Sequence, residues 1–275
     1  MKISLNRRTL TSLLLVVAVG AVSLITERIF GSFEISFFAF PMNLILLIAW
    51  AAIIVELYRR RSTNAIAAYL LSTQATVTAI IVSAIGCIFV GLQSNPSTQS
   101  IPFIALVLFV MSVIAMVTLR GWRNQSGIRW RFIASHLGLL LALIAGFWGA
   151  ADYKELRAVV GSEHTREALY INGMTTNLDY ALRLSDFDVS YGQGGVPTEY
   201  RAEVEVDDNA IELTVNHPHR VGFGEHIYLM SFEQSQEQTL VILQVVRQPW
   251  RIVFVAGIVM MLLGALLMFI GGPKR

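Results

Sequence analysis

The chain has 275 residues, of which 55% are hydrophobic and only 15% are charged, and its mean hydropathy is +0.59. Soluble globular domains carry about 25% charged residues, so this composition excludes an ordinary soluble protein and indicates a membrane protein. The net charge of +2 comes mostly from arginines at the ends of apolar segments, so it does not support a nucleic-acid partner. The single cysteine, Cys87, excludes an internal disulfide and a disulfide-exchange role for this chain alone.

Six apolar segments are long enough to cross a hydrocarbon core of about 30 Å as helices. Helices are required because backbone polar groups in lipid must be satisfied within the segment. The sequence therefore predicts a polytopic α-helical membrane protein with about six transmembrane helices, over residues 9–28, 37–57, 65–92, 101–119, 132–151 and 249–270.

Basic residues cluster on one side of these predicted spans. They precede span one, follow span two, separate spans four and five, and follow span six, whereas the opposite connections carry almost no base. These residues are Lys2, Arg7 and Arg8, then Arg59, Arg60 and Arg61, then Arg120, Arg123, Arg129 and Arg131, then Lys274 and Arg275. The positive-inside rule places such loops in the cytoplasm. We therefore predict that both termini are cytoplasmic and that residues 152–248 are extracytoplasmic.

Residues 152–248 are polar and show the alternation that is typical of strands. Alternating runs cover 178–191, 200–206, 211–215, 227–229 and 240–246, with a change of phase near Ser185-Asp186 that indicates a β-bulge. Glycine- and aspartate-containing turns separate the runs. We predict a five-helix transmembrane bundle over 1–151, a small antiparallel β domain over 152–248, and a final transmembrane helix with a cytoplasmic tail over 249–275.

Small residues follow one face of the fifth and sixth predicted spans. Gly138, Ala142, Ala145 and Gly149 recur at helical spacing, and Gly257 and Gly264 do so near the end of the chain. Such stripes let two helix backbones approach closely in a membrane, so we interpret them as packing surfaces.

His136 is the main candidate for a site. It lies about one turn into the fifth span, where an ionisable side chain is costly and is by default a functional hypothesis. A neutral imidazole is a common axial ligand of haem iron. The alternative is a histidine that hydrogen-bonds to a neighbouring helix or to water.

Other polar and aromatic groups give weaker signals. His217 and His219 lie two residues apart, but no third ligand is spaced to complete a metal site with them or with His226, and we predict none. Gln74 and Thr78 share a face of the third span and indicate interhelical hydrogen bonds or, alternatively, a ligand-lining role. A phenylalanine cluster precedes Pro41 and indicates an aromatic belt, against which a flat hydrophobic cofactor could also lie: Phe33, Phe37, Phe38 and Phe40.

Motifs for phosphate binding, acyl transfer, zinc proteolysis or paired carboxylates are absent from the sequence. We therefore predict no catalytic residue, and a chain that is not an enzyme on its own.

Several segments together resemble the ResB (CcsB) family of cytochrome c biogenesis proteins, in the compact form of Bacteroidetes-type bacteria. They are Phe-Ala-Phe-Pro-Met-Asn at 38–43, Ser-His-Leu-Gly-Leu at 135–139, Leu-Arg-Leu-Ser-Asp-Phe at 182–187, Val-Asn-His-Pro at 215–218, Ile-Tyr at 227–228 and Val-Arg-Gln-Pro-Trp at 246–250. They occur in family order and cover most of the chain from Phe38 onward.

This resemblance implies a subunit of the System II cytochrome c maturation machinery in the bacterial inner membrane. Such a subunit works with a CcsA (ResC)-type membrane partner to deliver haem to extracytoplasmic apocytochromes c and attach it covalently. His136 matches the position at which the family places a transmembrane haem-ligand histidine, which implies a transient haem cofactor. The tryptophan-rich haem-handling motif of the partner is absent here.

Two alternative functions stay open on the residues alone. The polar third span could belong to a transporter or channel for another solute. The chain could also be a structural membrane protein that presents a β interaction domain.

Overall fold

The computed structural model of the chain describes residues 7–31, 34–92, 99–122, 129–236 and 238–270. The chain divides into two compact units, which we call the membrane unit (Met1–Ala151 with Ile252–Arg275) and the β domain (Asp152–Arg251). Five residues from the sequence arguments lie outside the described part of the chain: Lys2, Phe33, Arg123, Lys274 and Arg275.

The described residues of the membrane unit are helical. The α-helices are α1 (Arg7–Phe30), α2 (Met42–Arg59), α3 (Ala65–Leu70), α4 (Thr73–Gly91), α5 (Ile101–Trp122), α6 (Trp130–Trp148) and α7 (Arg251–Ile270). Among the described residues, α2, α4, α5, α6 and α7 are long and apolar enough to cross a membrane. The first predicted span lies within α1, a continuous helix of 24 residues. The prediction of a polytopic helical membrane protein is confirmed.

The third predicted span is not one helix. The sequence analysis placed a single span over residues 65–92, but the chain forms α3, then a break, then α4. At the break, Ser72 has extended backbone angles and its Oγ accepts a hydrogen bond from the backbone N–H of Ala75, 3.1 Å away. Serine competes with helix by capping free N–H groups in this way, so α4 begins afresh at Thr73.

Helices α6 and α7 approach each other through small residues. A Cβ atom added to Gly257 would lie 2.6 Å from the backbone nitrogen of Ala142 and 2.8 Å from the carbonyl oxygen of Gly138. A Cβ atom on Gly264 would lie 2.8 Å from the Cα of Ser135. The backbones touch where side chains are missing, so the predicted packing role of Gly138, Ala142, Gly257 and Gly264 is confirmed.

The β domain contains one antiparallel sheet. Its strands are β1 (Lys154–Val160), β2 (Thr165–Tyr170), β3 (Thr175–Tyr191), β4 (Pro197–Val206), β5 (Asn209–Thr214), β6 (His219–Gly222), β7 (Glu225–Gln234) and β8 (Thr239–Arg247). Their order in the sheet is β5-β4-β3-β2-β1-β8-β7-β6. The predicted antiparallel β domain is therefore confirmed.

The sheet curls on itself, because β5 at one edge contacts β6 and β7 at the other. Alternate side chains of the strands point inward and form a single core, as the strand period of two requires. Members of the core that are fully buried include Leu156, Ala158, Val160, Leu182, Ala202, Val204, Leu213, Ile227, Val241, Leu243 and Val245.

The predicted bulge in β3 is present, since the pairing of β3 with β4 shifts register between Leu184 and Asp186. Strands β1, β2 and β6 were not predicted. In β1 the inward positions are Leu156, Ala158 and Val160, and Arg157 and the apolar Val159 separate them, so the apolar and polar residues alternate only over a short stretch.

The first and last strands of the β domain are neighbours. β1 pairs with β8 along its whole length, from Lys154 opposite Arg247 to Val160 opposite Val241. Beyond this ladder, the indole Nε1–H of Trp250 donates a hydrogen bond to Asp152 Oδ2 at 2.7 Å. The two ends of the domain therefore leave the sheet side by side.

The helix contact can be tested with two matched glycine substitutions. We expect Gly257→Ala to lower the apparent melting temperature in detergent, because overpacking against backbone costs about 1–3 kcal/mol. Gly146→Ala is the control, since a Cβ atom there meets nothing within 4 Å and the helix propensity gain is the same. Equal melting temperatures of the two variants would contradict the close contact.

Candidate functional site

The membrane unit contains an apolar cavity of about 630 Å³. This volume lies within the range of small-molecule and cofactor sites, about 300–1,000 Å³. The cavity is bounded by a short 3-10 helix (Ile35–Phe38), the N-terminal halves of α2 and α5, and the C-terminal half of α6. The lining side chains are Ile35, Phe38, Leu46, Gln99, Phe103, Ile104, Val107, Leu108, Ala142, Leu143, Gly146, Phe147, Trp148, Ala150, Ala151 and Phe254.

A buried asparagine ties two walls of this cavity together. Asn43, in the first turn of α2, is completely buried. Its Nδ2 donates a hydrogen bond to the carbonyl oxygen of Trp148 at 2.9 Å. The last carbonyl groups of a helix have no partner within that helix, so Asn43 satisfies one of them at the end of α6.

One member of the predicted phenylalanine cluster reaches the cavity. Phe38 lines it, whereas Phe37 and Phe40 are 72% and 68% exposed. The sequence placed these rings at a membrane boundary but did not separate the one that faces inward, because that depends on how the short helix packs.

The lining restricts what the cavity can bind. The polar side-chain groups of its described lining residues are the amide of Gln99 and the buried indole N–H of Trp148, and these lining residues include no imidazole, thiol, thioether or phenol. Haem iron takes its protein ligands from such groups. The cavity can therefore hold an apolar molecule, but its walls supply no ligand to iron.

His136 lies in the second turn of α6, and its ring is half-buried. Its Nδ1 lies 2.9 Å from the carbonyl oxygen of Phe132, and the two rings stack with centroids 3.9 Å apart. A carbonyl oxygen only accepts, so this hydrogen bond requires the proton on Nδ1 and leaves the lone pair on Nε2. Metal-binding histidines are commonly held in this way.

The structure does not bring His136 to the cavity. Leu143, a cavity residue, follows His136 by seven positions on the same helix, which is about 10 Å along the axis. His136 and the apolar cavity are therefore at different depths of the membrane unit.

Gln74 and Thr78 do not line the cavity. Thr78 is completely buried in α4. The described residues therefore give no support to a ligand-lining role for this polar face.

The remaining histidines lie apart in the β domain. The Nδ1 atom of His217 contacts the carbonyl of Val215 at 3.1 Å in the turn before β6, and His219 begins β6. His226 lies in β7, where Arg251 Nη1 is 3.3 Å from its Nε2. Within the described ranges none of the three joins a group that could hold a metal ion.

A different histidine does meet carboxylates. Ligand atoms of His164, Glu205 and Asp208 lie within 4.8 Å of one another. This group was not predicted from the sequence, because His164 in the β1–β2 turn meets Glu205 in β4 only through the pairing of β2, β3 and β4. Glu205 is already paired with Arg183, at 2.7 and 2.6 Å, and this guanidinium lowers the pKa of Glu205. The guanidinium of Arg183 therefore already occupies the position beside Glu205 that a metal ion would need.

A polar network near the ends of β3, β7 and β8 was also missed. Tyr180 donates a hydrogen bond to Glu225 at 2.6 Å, and Arg247 forms ion pairs with Glu225 at 2.9 Å and with Asp179 at 3.0 Å. Burial, followed by the bond to Glu225, raises the pKa of Tyr180 far above its usual range. The phenol therefore remains a donor at any physiological pH.

Residues 126–242 of the chain match the model of the ResB-like family. Over these residues, which are less than half of the chain, the chain is similar to that family. The matched region includes α6 with His136 and the β domain as far as the middle of β8. The resemblance that the sequence motifs indicated is therefore confirmed.

A curated relative carries the printed name cytochrome c biogenesis protein CcsB and comes from Prochlorococcus marinus. It is 29% identical over 91 residues, which are 31% of this chain and 20% of the relative. The match thus spans a fifth of that protein's length.

Among solved structures, cytochrome c haem lyase CcmF aligns with a TM-score of 0.36 and 13% identity. The alignment covers 82% of this chain and 39% of that one. A TM-score this low does not establish a shared fold.

The cavity wall yields a stability test. We expect Asn43→Ala to destabilise the protein by about 1–3 kcal/mol, because the Trp148 carbonyl then lacks its partner in an apolar setting. Thermal unfolding in detergent measures this loss. Ile45→Ala, a neighbouring side chain that is 55% exposed, is the control and should unfold close to the parent. An Asn43→Ala protein as stable as the control would show that the hydrogen bond contributes nothing.

Proposed function

We propose that this chain is a membrane subunit of the System II cytochrome c maturation machinery. In this role it assists the delivery of haem to extracytoplasmic apocytochromes c and its covalent attachment there. The observation that carries the proposal is the ResB-like match over 126–242, which includes both the histidine-bearing helix and most of the β domain. The printed name of the CcsB relative supports the same process.

The proposed sidedness follows from charge. Arg59, Arg60, Arg120 and Arg129 lie at or next to helix ends that belong to one side of the bundle if α1 is counted as a span. We propose that the membrane is a bacterial inner membrane and that this side of the bundle faces the cytoplasm. The β domain then lies on the outer side, where apocytochromes receive haem.

We assign His136 as an axial haem ligand. The residues present fit one such position: Phe132 holds the Nδ1 proton, and among the described residues Nε2 has no hydrogen-bond partner. Haem is the cargo here, and its vinyl groups and iron supply the chemistry of attachment. This chain would hold the iron through Nε2 and orient the imidazole through Phe132.

We propose that a second protein ligand of the iron comes from another subunit. All other histidines of the sequence, at 164, 217, 219 and 226, belong to the β domain. A CcsA (ResC)-type membrane protein is the partner that we propose for this role. Such a division of ligands agrees with a chain that has no catalytic motif and acts as an accessory subunit.

The function is tested in a strain that lacks this gene. We expect haem staining of all c-type cytochromes to be lost, and to return when the chain is supplied on a plasmid. Normal staining in the deletion strain would remove the maturation role. Uptake measurements on the same strain would then test the alternative function, a transporter or channel for another solute.

The His136 assignment is tested separately, on the chain purified with its membrane partner. We expect His136→Ala to lower the haem absorption of the complex strongly, because one iron ligand is lost. His217→Ala is the matched control, since this histidine lies in an exposed turn of the β domain, and its haem content should stay at the parental level. Full haem content in both variants would assign the ligand to another residue.

Sidedness is tested by reporter insertion. Alkaline phosphatase inserted in the glycine-containing turn after β3, at residues 192–195, should be active, because that enzyme folds outside the cytoplasm. Insertion after residue 62, beyond the basic end of α2, should be inactive. Activity of the insertion after residue 62, with an inactive insertion at 192–195, would mean that the β domain lies in the cytoplasm.

A further inference from the structure

The β domain has one end at which both chain connections are made. β1 starts there at Lys154, and β8 finishes there at Arg247, which is the residue opposite. We call it the connecting end. Arg247 and Arg251, the first residue of the membrane helix α7, are separated by four residue steps, which is at most about 14 Å of extended chain. The connecting end must therefore lie close to the level at which α7 enters the bilayer.

Two turns reach the same end. The turn between β6 and β7 holds Phe223 and Gly224, and β7 begins there with Glu225 opposite Arg247. The turn between β2 and β3 holds Ile171 and Met174, where Tyr170 pairs with Leu156 near the start of β1.

The β6–β7 turn is held against the exit segment. The backbone N–H of Gln248 donates a hydrogen bond to the Gly224 carbonyl at 2.6 Å. Gly224 has φ +66°, and a Cβ atom there would lie 2.6 Å from the Cα of Pro249. Only glycine fits this contact, so Phe223 is placed beside the residues that lead into α7.

Large apolar side chains occupy the tips of these turns. Ile171 is 70% exposed, Phe223 69% and Met174 60%. Single exposed apolar residues are common on soluble surfaces, but these three are at the tips of separate turns at one end of the sheet. Water is an unfavourable neighbour for such a set, whereas the interface of a bilayer accepts aromatic and aliphatic tips.

Among the described residues, three of the cations at the connecting end have no carboxylate partner. The carboxylates of this end are engaged: Glu225 and Asp179 bind Arg247, Asp152 accepts the Trp250 hydrogen bond, and Glu155 accepts hydrogen bonds from Tyr153 and Gln244. In contrast, Lys154, Arg220 and Arg251 have no carboxylate within ion-pair distance in the described part of the chain. Two of these cations flank His226: Arg251 Nη1 lies 3.3 Å from its Nε2, and Arg220 is opposite it in the pairing of β6 with β7.

We propose that the connecting end of the β domain is a membrane-docking surface. Phe223, Ile171 and Met174 insert into the interface of the bilayer, and Lys154, Arg220 and Arg251 contact the phosphates of lipid headgroups. This surface needs only a membrane-spanning chain and is independent of the proposed haem function. Docking would hold the curled sheet at the membrane surface instead of leaving it on a free tether.

The opposite end of the sheet supplies the control. The β3–β4 turn carries Tyr191 and Val196, which are 55% and 63% exposed. Their exposure and turn setting match those of the docking residues, but β3 carries them away from the connecting end.

The experiment uses the full chain with Cys87→Ser, reconstituted in lipid nanodiscs that contain phosphatidylcholine and phosphatidylglycerol. A spin label is attached in turn to Phe223→Cys, Ile171→Cys, Met174→Cys, Tyr191→Cys and Val196→Cys. Collision rates with oxygen, which concentrates in lipid, and with a water-soluble nickel complex are compared. We expect the oxygen-to-nickel ratio to be several-fold higher at 171, 174 and 223 than at 191 and 196.

Two results would overturn the proposal. Labels at 171, 174 and 223 that are as open to the nickel complex as those at 191 and 196 would place this end in water. Labels closed to both reagents would show that protein, not lipid, covers it.

The cations are tested with the label at 223. Joint Arg220→Gln and Arg251→Gln substitution should lower its oxygen-to-nickel ratio. Arg201→Gln on β4, whose guanidinium lies 3.8 Å from both Asp188 and Glu212, should leave the ratio unchanged. No difference between the two proteins would remove the cations from the docking surface.

Discussion

The contact between α6 and α7 is the constraint on which the rest of the molecule depends. In lipid, two apolar helices gain little from burying apolar surface, so they associate through close backbone packing. Gly138, Ala142 and Gly257 allow this packing, and Gly264 continues it beside Ser135. These two helices are also the ones between which the β domain is inserted. Within the domain, the first strand, β1, pairs with the last strand, β8.

The membrane unit separates two kinds of chemistry. Phe132 and His136 form a small polar site with a defined proton position, in the second turn of α6. Further along the same helix, Ala142, Gly146 and Trp148 form one wall of an apolar cavity. The Nε2 lone pair of His136 can bind a metal ion, whereas the described residues of the cavity wall include no imidazole, thiol, thioether or phenol. The imidazole of His136 and the apolar cavity therefore lie at different positions along α6.

In the β domain, partly buried ion pairs join neighbouring strands. Arg183 pairs with Glu205 between β3 and β4, and Arg247 pairs with Glu225 between β8 and β7 at the connecting end. Pairs of this kind owe more to geometry than to net attraction, since desolvation offsets much of the Coulomb energy. Lys154, Arg220 and Arg251, at the connecting end, have no carboxylate within ion-pair distance in the described part of the chain.

The sequence by itself determined the class of the protein. Runs of apolar residues, the arginine pattern and the alternation in 178–246 depend only on local chemistry and on the thickness of a bilayer, and they predicted the membrane helices, the antiparallel β domain and the bulge at Ser185. Short-range composition also pointed to Gly138, Gly257 and His136. Tertiary structure alone decided which rings face the cavity, that Asn43 closes the end of α6, and that the turns at 171–174 and 223–224 share one end of the sheet. These features join residues that are tens to more than a hundred positions apart, and no local pattern records such distances, because strand order and helix packing are set by the whole chain at once.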